Sequence, residues 1–184
     1  LHYASNFNVN SEMIAVLVEG GADPNAKVDG MSPLETAIWA PNIDAVKGLL
    51  RAGADPTVPG SQGGSLLHAA VGADQPDTAL LLINAGADVN AKKKDGGTAL
   101  IFAAYDGHIE TVDALVKAGA DVHTQSNNGN TALRLADRMG HTAIVKLLRH
   151  ESFIAAIYHK DITEAQRIVK DYSKLYKPYD IKPH

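Results

Sequence analysis

Gly63-Gly64-Ser65-Leu66-Leu67-His68-Ala69-Ala70 is followed by a second copy of the same frame, Gly96-Gly97-Thr98-Ala99-Leu100-Ile101-Phe102-Ala103. Outward from this pair the frame extends over most of the chain. Leu1, Leu34, Leu67, Leu100 and Leu133 fall at one constant interval, and Ala4, Ala37, Ala70, Ala103 and Ala136 fall at the same one. Gly30, Gly63, Gly96 and Gly129 form a third column, and Ser32, Ser65, Thr98 and Thr131 a fourth. Gly-Ala-Asp triplets at 21–23, 53–55, 86–88 and 119–121 recur at intervals of 32, 33 and 33. Independent columns sharing one spacing mark an internal repeat of the length that builds solenoids.

Each column has a physical reason. The Ser/Thr hydroxyl suits an N-cap, where it accepts from a backbone N–H that the helix itself leaves unpaired. Pro33 follows one of these caps, at the first helical position, where a missing N–H costs nothing. The Leu and Ala columns then share one face of a short helix, and the small Ala lets neighbouring helices approach. A second helix follows in each repeat, with apolar residues at i, i+3 and i+4: Ile14/Leu17/Val18, Val46/Leu49/Leu50, Ala79/Leu82/Ile83 and Val112/Leu115/Val116. That spacing buries one stripe of a helix. The Gly of each triplet stands where a helix needs a left-handed residue to stop. The Asp and the following Pro or Asn shape a turn into the next repeat.

These residues carry a resemblance. Leu67-His68-Ala69-Ala70, Gly107-His108-Ile109-Glu110 and Gly86-Ala87-Asp88-Val89-Asn90-Ala91 resemble the ankyrin repeat, with its 33-residue period and Thr-Pro-Leu-His signature. The resemblance runs from Leu1 to about residue 149, and in weaker form to about 170. It implies an all-α solenoid of stacked helix–turn–helix pairs with inter-repeat fingers and a helical C-terminal cap. It implies a binding role without naming the partner, because function resides in sites rather than folds.

The expected organisation is one domain over 1–184: a partial first repeat at 1–28, repeats at 29–61, 62–94 and 95–127, and a repeat lacking its final turn at 128–151. A helical cap at 152–171 and a Tyr/Lys/Pro tail at 172–184 complete it. Leu1-His2 falls inside a repeat motif, so the first repeat lacks its opening turn. Pro41 and Pro76 replace parts of the usual Gly-His turn, as a proline in the first turn of the second helix is tolerated there. No Gly-Ala-Asp follows Arg149. Phe153, Ala156 and Ile157, then Ile162, Ala165, Ile168 and Val169, read instead as two further helices between roughly 152 and 170, a water-tolerant end of the kind a solenoid needs.

Composition narrows the function classes. Hydrophobic residues make up 45% and charged residues 21%, which suits a folded globular chain rather than a disordered one. No apolar run is long enough to span a bilayer. Cysteine is absent, which excludes disulfides and thiolate chemistry and is neutral between the cytosol and oxidising compartments. The location is not written in the sequence: the cytoplasm is slightly favoured, with a secreted or periplasmic one left open. The net charge of −4 divides unevenly: residues 1–91 carry 10 acids and 3 bases, a balance of −7, and residues 92–184 carry 11 acids and 14 bases, a balance of +3.

Chemistry is hard to place. The chain has eight histidines, but His2 and His68 occupy the Thr-Pro-Leu-His position and His108 and His141 the Gly-His position. In the resembled family both positions are structural, and the repeat spaces them along the stack rather than around one ion. No Gly-x-Ser-x-Gly or His-Glu-x-x-His motif occurs, and Gly60-Ser61-Gln62-Gly63-Gly64-Ser65 lacks the Lys of a phosphate loop. The expectation is therefore no catalytic residue, no metal and no cofactor. Lys92-Lys93-Lys94 and the lysines and tyrosines after residue 171 are the only basic stretches, and in an acidic chain they read as a solvated turn and tail rather than a nucleic-acid site.

One strip stands apart. In ankyrin-like stacks, partners usually meet the finger tips and the concave face made by the ends of the first helices. The two residues after each repeat's first-helix motif are Asn6/Phe7, Trp39/Ala40, Gly72/Ala73, Tyr105/Asp106 and Arg138/Met139, and core packing has no need of large apolar groups there. Of ten aromatics, three, including the sole Trp, fall in this strip. Exposed aromatics and arginine typify binding hot spots. The expected partner-binding residues are thus Phe7, Trp39, Tyr105, Asp106, Arg138 and Met139, with Met31, Lys93 and Asn130 at the finger tips. The expected function is a protein–protein interaction module that is monomeric when free. The rival readings are an inhibitor or immunity protein that blocks an enzyme, and the scaffold part of a larger effector or enzyme.

Overall fold

The computed structural model describes residues 1–6, 10–158 and 162–175. Among them are eleven helices and no strand: α1 His2–Asn6, α2 Ser11–Glu19, α3 Pro33–Trp39, α4 Ile43–Arg51, α5 Leu66–Gly72, α6 Pro76–Asn84, α7 Ala99–Asp106, α8 Ile109–Lys117, α9 Ala132–Met139, α10 Thr142–Tyr158 and α11 Ile162–Leu175. The odd-numbered helices α1 to α9 pack in sequence as one row, and the even-numbered helices α2 to α10 as a second row behind it. This is an all-α solenoid of helix pairs.

The repeat columns are its core. Leu34, Leu67 and Leu100 are at most 1% exposed, and Ala37, Ala70, Ala103 and Ala136 are fully buried between first helices. Leu49, Leu82, Leu115 and Leu148, a column at the same repeat interval, are fully buried in the second row. Burying each such Leu contributes roughly 1.5–3 kcal/mol, so the columns supply most of the driving force.

Polar groups set the ends of the helices. The hydroxyls of Ser32, Thr98 and Thr131 accept from the backbone N–H three residues on, at 3.1, 3.4 and 3.1 Å. Gly21, Gly53, Gly86 and Gly119 end the second helices at φ between 88° and 107°, a conformation that only glycine adopts without strain. The Asp two residues beyond each of them accepts from the N–H two residues further on, at 2.8–2.9 Å, and so closes an Asx turn.

Three fingers are closed by one recurring bond, the N–H of Gly60, Lys93 and Ser126 donating to the carbonyl of Gly64, Gly97 and Asn130 at 2.7, 2.9 and 2.9 Å, and the first is closed by Val28 and Met31, whose backbones bond each other both ways at 3.0 Å. Histidines tie the fingers to the helices. His2 Nε2 lies 2.9 Å from the Met31 carbonyl, and His68 Nε2 lies 3.2 Å from that of Gly97. A second ladder starts at the turns before α4, α6, α8 and α10. There Asn42, Gln75, His108 and His141, one column of the repeat, reach the carbonyls of Ser5, Ile38, Val71 and Tyr105 at 3.5, 2.7, 3.2 and 3.0 Å. The structural role that the resemblance implies for His2, His68, His108 and His141 is thus seen bond by bond.

Two expectations need correction. Pro76 does open α6, but Pro41 lies ahead of α4, before its cap Asn42, and has a φ of 24°. It occupies the column that Gly107 and Gly140 fill at 87° and 78°. The second correction concerns the C-terminal end. The boundary at 151/152 falls within α10, which continues unbroken to Tyr158, so only one separate helix, α11, follows among the described residues. With no Gly-Ala-Asp to stop it the helix propagates, and Ser152 stays in it by donating its hydroxyl to the Leu148 carbonyl at 2.8 Å. α11 packs along α10, with Ile168 buried.

Candidate partner-binding surface

Two grooves run between the fingers and the ends of the first helices. The first, about 260 Å³, is bounded by Trp39, Gly60, Gly64, Gly72, Lys93 and Phe102, with Asp106 at one side. The second, about 280 Å³, is bounded by Phe102, Tyr105, Asp106, Asn128, Asn130 and Arg138. Phe102 and Asp106 belong to both, so the two grooves adjoin there, and together they draw on four first helices, α3, α5, α7 and α9.

The expected strip residues fall largely here. Trp39, Tyr105 and Met139 are 44%, 42% and 44% exposed, high values for large apolar groups. Each stands at the last or next-to-last position of its first helix, where the helix has passed its buried Leu and Ala columns. Asp106 and Arg138 are exposed, and neither makes an ion pair with another described residue. Lys93 and Asn130 line the first and second groove respectively. Met31 and Met139 line neither, and the Met31 backbone is paired with Val28. Phe7 lies outside the described residues.

Sequence reasoning missed the groove's supports. Glu35 is 1% exposed, yet its carboxylate accepts from the Ser61 N–H at 2.9 and 3.0 Å and from the Ser61 hydroxyl at 2.6 Å. Glu35 stands in the column of His2 and His68 and anchors the next finger as they do, by accepting rather than donating. Such charge-assisted bonds are what make a buried carboxylate tolerable. The shared column was the available signal, hidden because its chemistry changes from His to Glu.

His68 forms the wall behind the first groove. Its Nδ1 accepts from the Ser65 N–H at 3.2 Å and lies 2.8 Å from the Ser65 hydroxyl, so Nε2 carries the proton donated to Gly97. Burial pushes its pKa below the usual histidine value, because the charged form is poorly solvated there. Phe102 meets the His68 ring edge-on at 5.8 Å, and Lys93 Nζ sits 4.9 Å from the Phe102 centroid in a cation–π contact. Among the described residues, no group of three or more His, Asp or Glu is placed to hold a metal ion, and no helix is long and apolar enough to cross a membrane.

The architecture is that of a repeat solenoid with an open groove. A family model described as ankyrin repeats (three copies) matches residues 63–161, more than half of the chain. The chain belongs to the ankyrin-repeat family, whose members are generic protein–protein interaction modules. No curated protein matches it.

Proposed function

We propose that this chain holds a protein partner in the groove between its fingers and first helices, with Trp39, Tyr105, Asp106 and Arg138 as the principal contacts. One observation carries the reading. The repeat sets Trp39, Tyr105 and Arg138 in register, with Asp106 one position on, along two adjoining grooves, all exposed and none in an ion pair among the described residues. Exposed aromatics beside such an Arg and Asp match the composition of binding hot spots. Lys93 and Asn130 extend the surface to the finger tips, and Met139 borders it.

The test is an affinity capture with three baits: the wild-type chain, Trp39→Ala and Tyr105→Ala/Arg138→Ala. A protein retained by the wild type and lost from both variants, with all three baits equally folded by circular dichroism, supports the groove. A protein retained equally by all three refutes it.

A further inference from the structure

The strip has one gap. Between Trp39 and Tyr105 the same column holds Gly72, the last residue of α5. A β-carbon there would meet nothing nearer than Trp39 Cη2, at 4.0 Å. The indole therefore borders the space that a side chain at 72 would fill. Ala69, Gly60, Gly64, Trp39, Phe102 and Asp106 all line this notch. Its roughly 260 Å³ has room for one long side chain.

Charge selects among occupants. Among the described residues Lys93 is the one Lys or Arg lining the notch, and its ammonium is already set against the Phe102 ring. Two carboxylates line it as well. Glu35 is buried and bound to Ser61, while Asp106 is exposed with no ion pair among the described residues. The half of the chain that contains Trp39 and Gly72 carries a balance of −7. A planar cation placed between an indole face and a carboxylate gains both a cation–π contact and a charge-assisted hydrogen bond, and arginine is the side chain suited to both.

We infer that the Gly72 notch receives an arginine side chain from an extended segment of the partner protein, stacked on Trp39 and bonded to Asp106. This rests on the groove being the binding surface and specifies what enters it.

A displayed library of random twelve-residue peptides selected against the full chain tests it. Gly72 has a φ that other residues adopt, so Gly72→Leu fills the notch without straining the backbone. The expected result is enrichment of arginine at one fixed position. A synthetic peptide of the selected sequence should bind at least ten-fold more weakly to Asp106→Asn and to Gly72→Leu. It should weaken equally when its arginine is replaced by citrulline, which keeps the shape and loses the charge. Selected peptides that depend on Trp39 but present an apolar or acidic residue would overturn the arginine assignment and leave the groove standing. Peptides indifferent to Trp39→Ala, Gly72→Leu and Asp106→Asn alike, or a selection with no enrichment, would overturn the groove as well.

Discussion

The Glu35 carboxylate holds Ser61 by its backbone N–H and by its hydroxyl at once, from a site almost closed to solvent. Glu35→Ala breaks these bonds and leaves space in the core beneath the first groove. The expected loss is about 1–2 kcal/mol, or roughly 2–8 °C in Tm for a chain of this size. Differential scanning calorimetry of the variant measures it. Glu35→His restores the residue type found at His2 and His68 and should recover part of the loss.

Pro41 gives a prediction of the opposite sign. The pyrrolidine ring holds φ firmly negative, whereas the turn sets Pro41 at 24°. Glycine fills the same column at residues 107 and 140. Pro41→Gly relieves backbone strain worth about 1–3 kcal/mol and gives back about 0.4–1 kcal/mol through a freer unfolded chain. The variant should unfold at higher denaturant than wild type, by a net of about 1–2 kcal/mol in equilibrium urea titrations.

How much of this could be read from the sequence depends on how each residue acts. Leu67, Ala70, Gly86 and Ser65 are recognisable because each has one dominant use at its repeat position: core, close approach, left-handed stop and cap. Trp39 and Tyr105 were legible as exposed because their column also contains Asn6, Gly72 and Arg138, a mixture that suits no buried site. Glu35 was not, since a charged residue in a first helix reads as solvated until the finger above it is seen to supply the donors. The notch at Gly72 was equally hidden. Its meaning lies in the Trp39 ring standing beside it, and periodicity carries no information about side-chain direction. The missing Gly-Ala-Asp after Arg149 marks no break in the chain, because a helix without a terminator continues, and α10 runs on to Tyr158.

His68 makes stability depend on pH. Its folded-state pKa is lowered, foremost by burial, so on acidification the unfolded chain takes up the proton first. Its contribution is full above the ordinary histidine value of about 6.5 and is lost as the pH falls from there toward the folded-state value. Urea midpoints measured between pH 7.5 and 5 should fall with acidification, and His68→Gln should flatten part of that slope. Equal slopes in the two proteins would remove His68 as the cause.

The C-terminal end gives a fourth prediction. α11 packs on α10 and buries Ile168, so we propose that it closes the stack against water. A chain ending at Tyr158 should melt several degrees lower and elute as larger species in size-exclusion chromatography, because an uncovered repeat face invites association. An unchanged melt and a monomeric elution would make α11 an appendage.

Trp39 is the only tryptophan in the chain, so its fluorescence reports on the groove without a label. The most direct measurement is to titrate the captured partner into the wild-type protein while following this emission and its quenching by acrylamide, with the partner's own signal subtracted. Half-exposed in the free chain, Trp39 should shift to shorter wavelength and become protected from acrylamide in proportion to the partner bound. Trp39→Ala should weaken binding about 30-fold, the equivalent of about 2 kcal/mol, with Tm nearly unchanged. Emission and quenching that stay the same at saturating partner, together with unchanged affinity in Trp39→Ala, would contradict the groove as the binding surface.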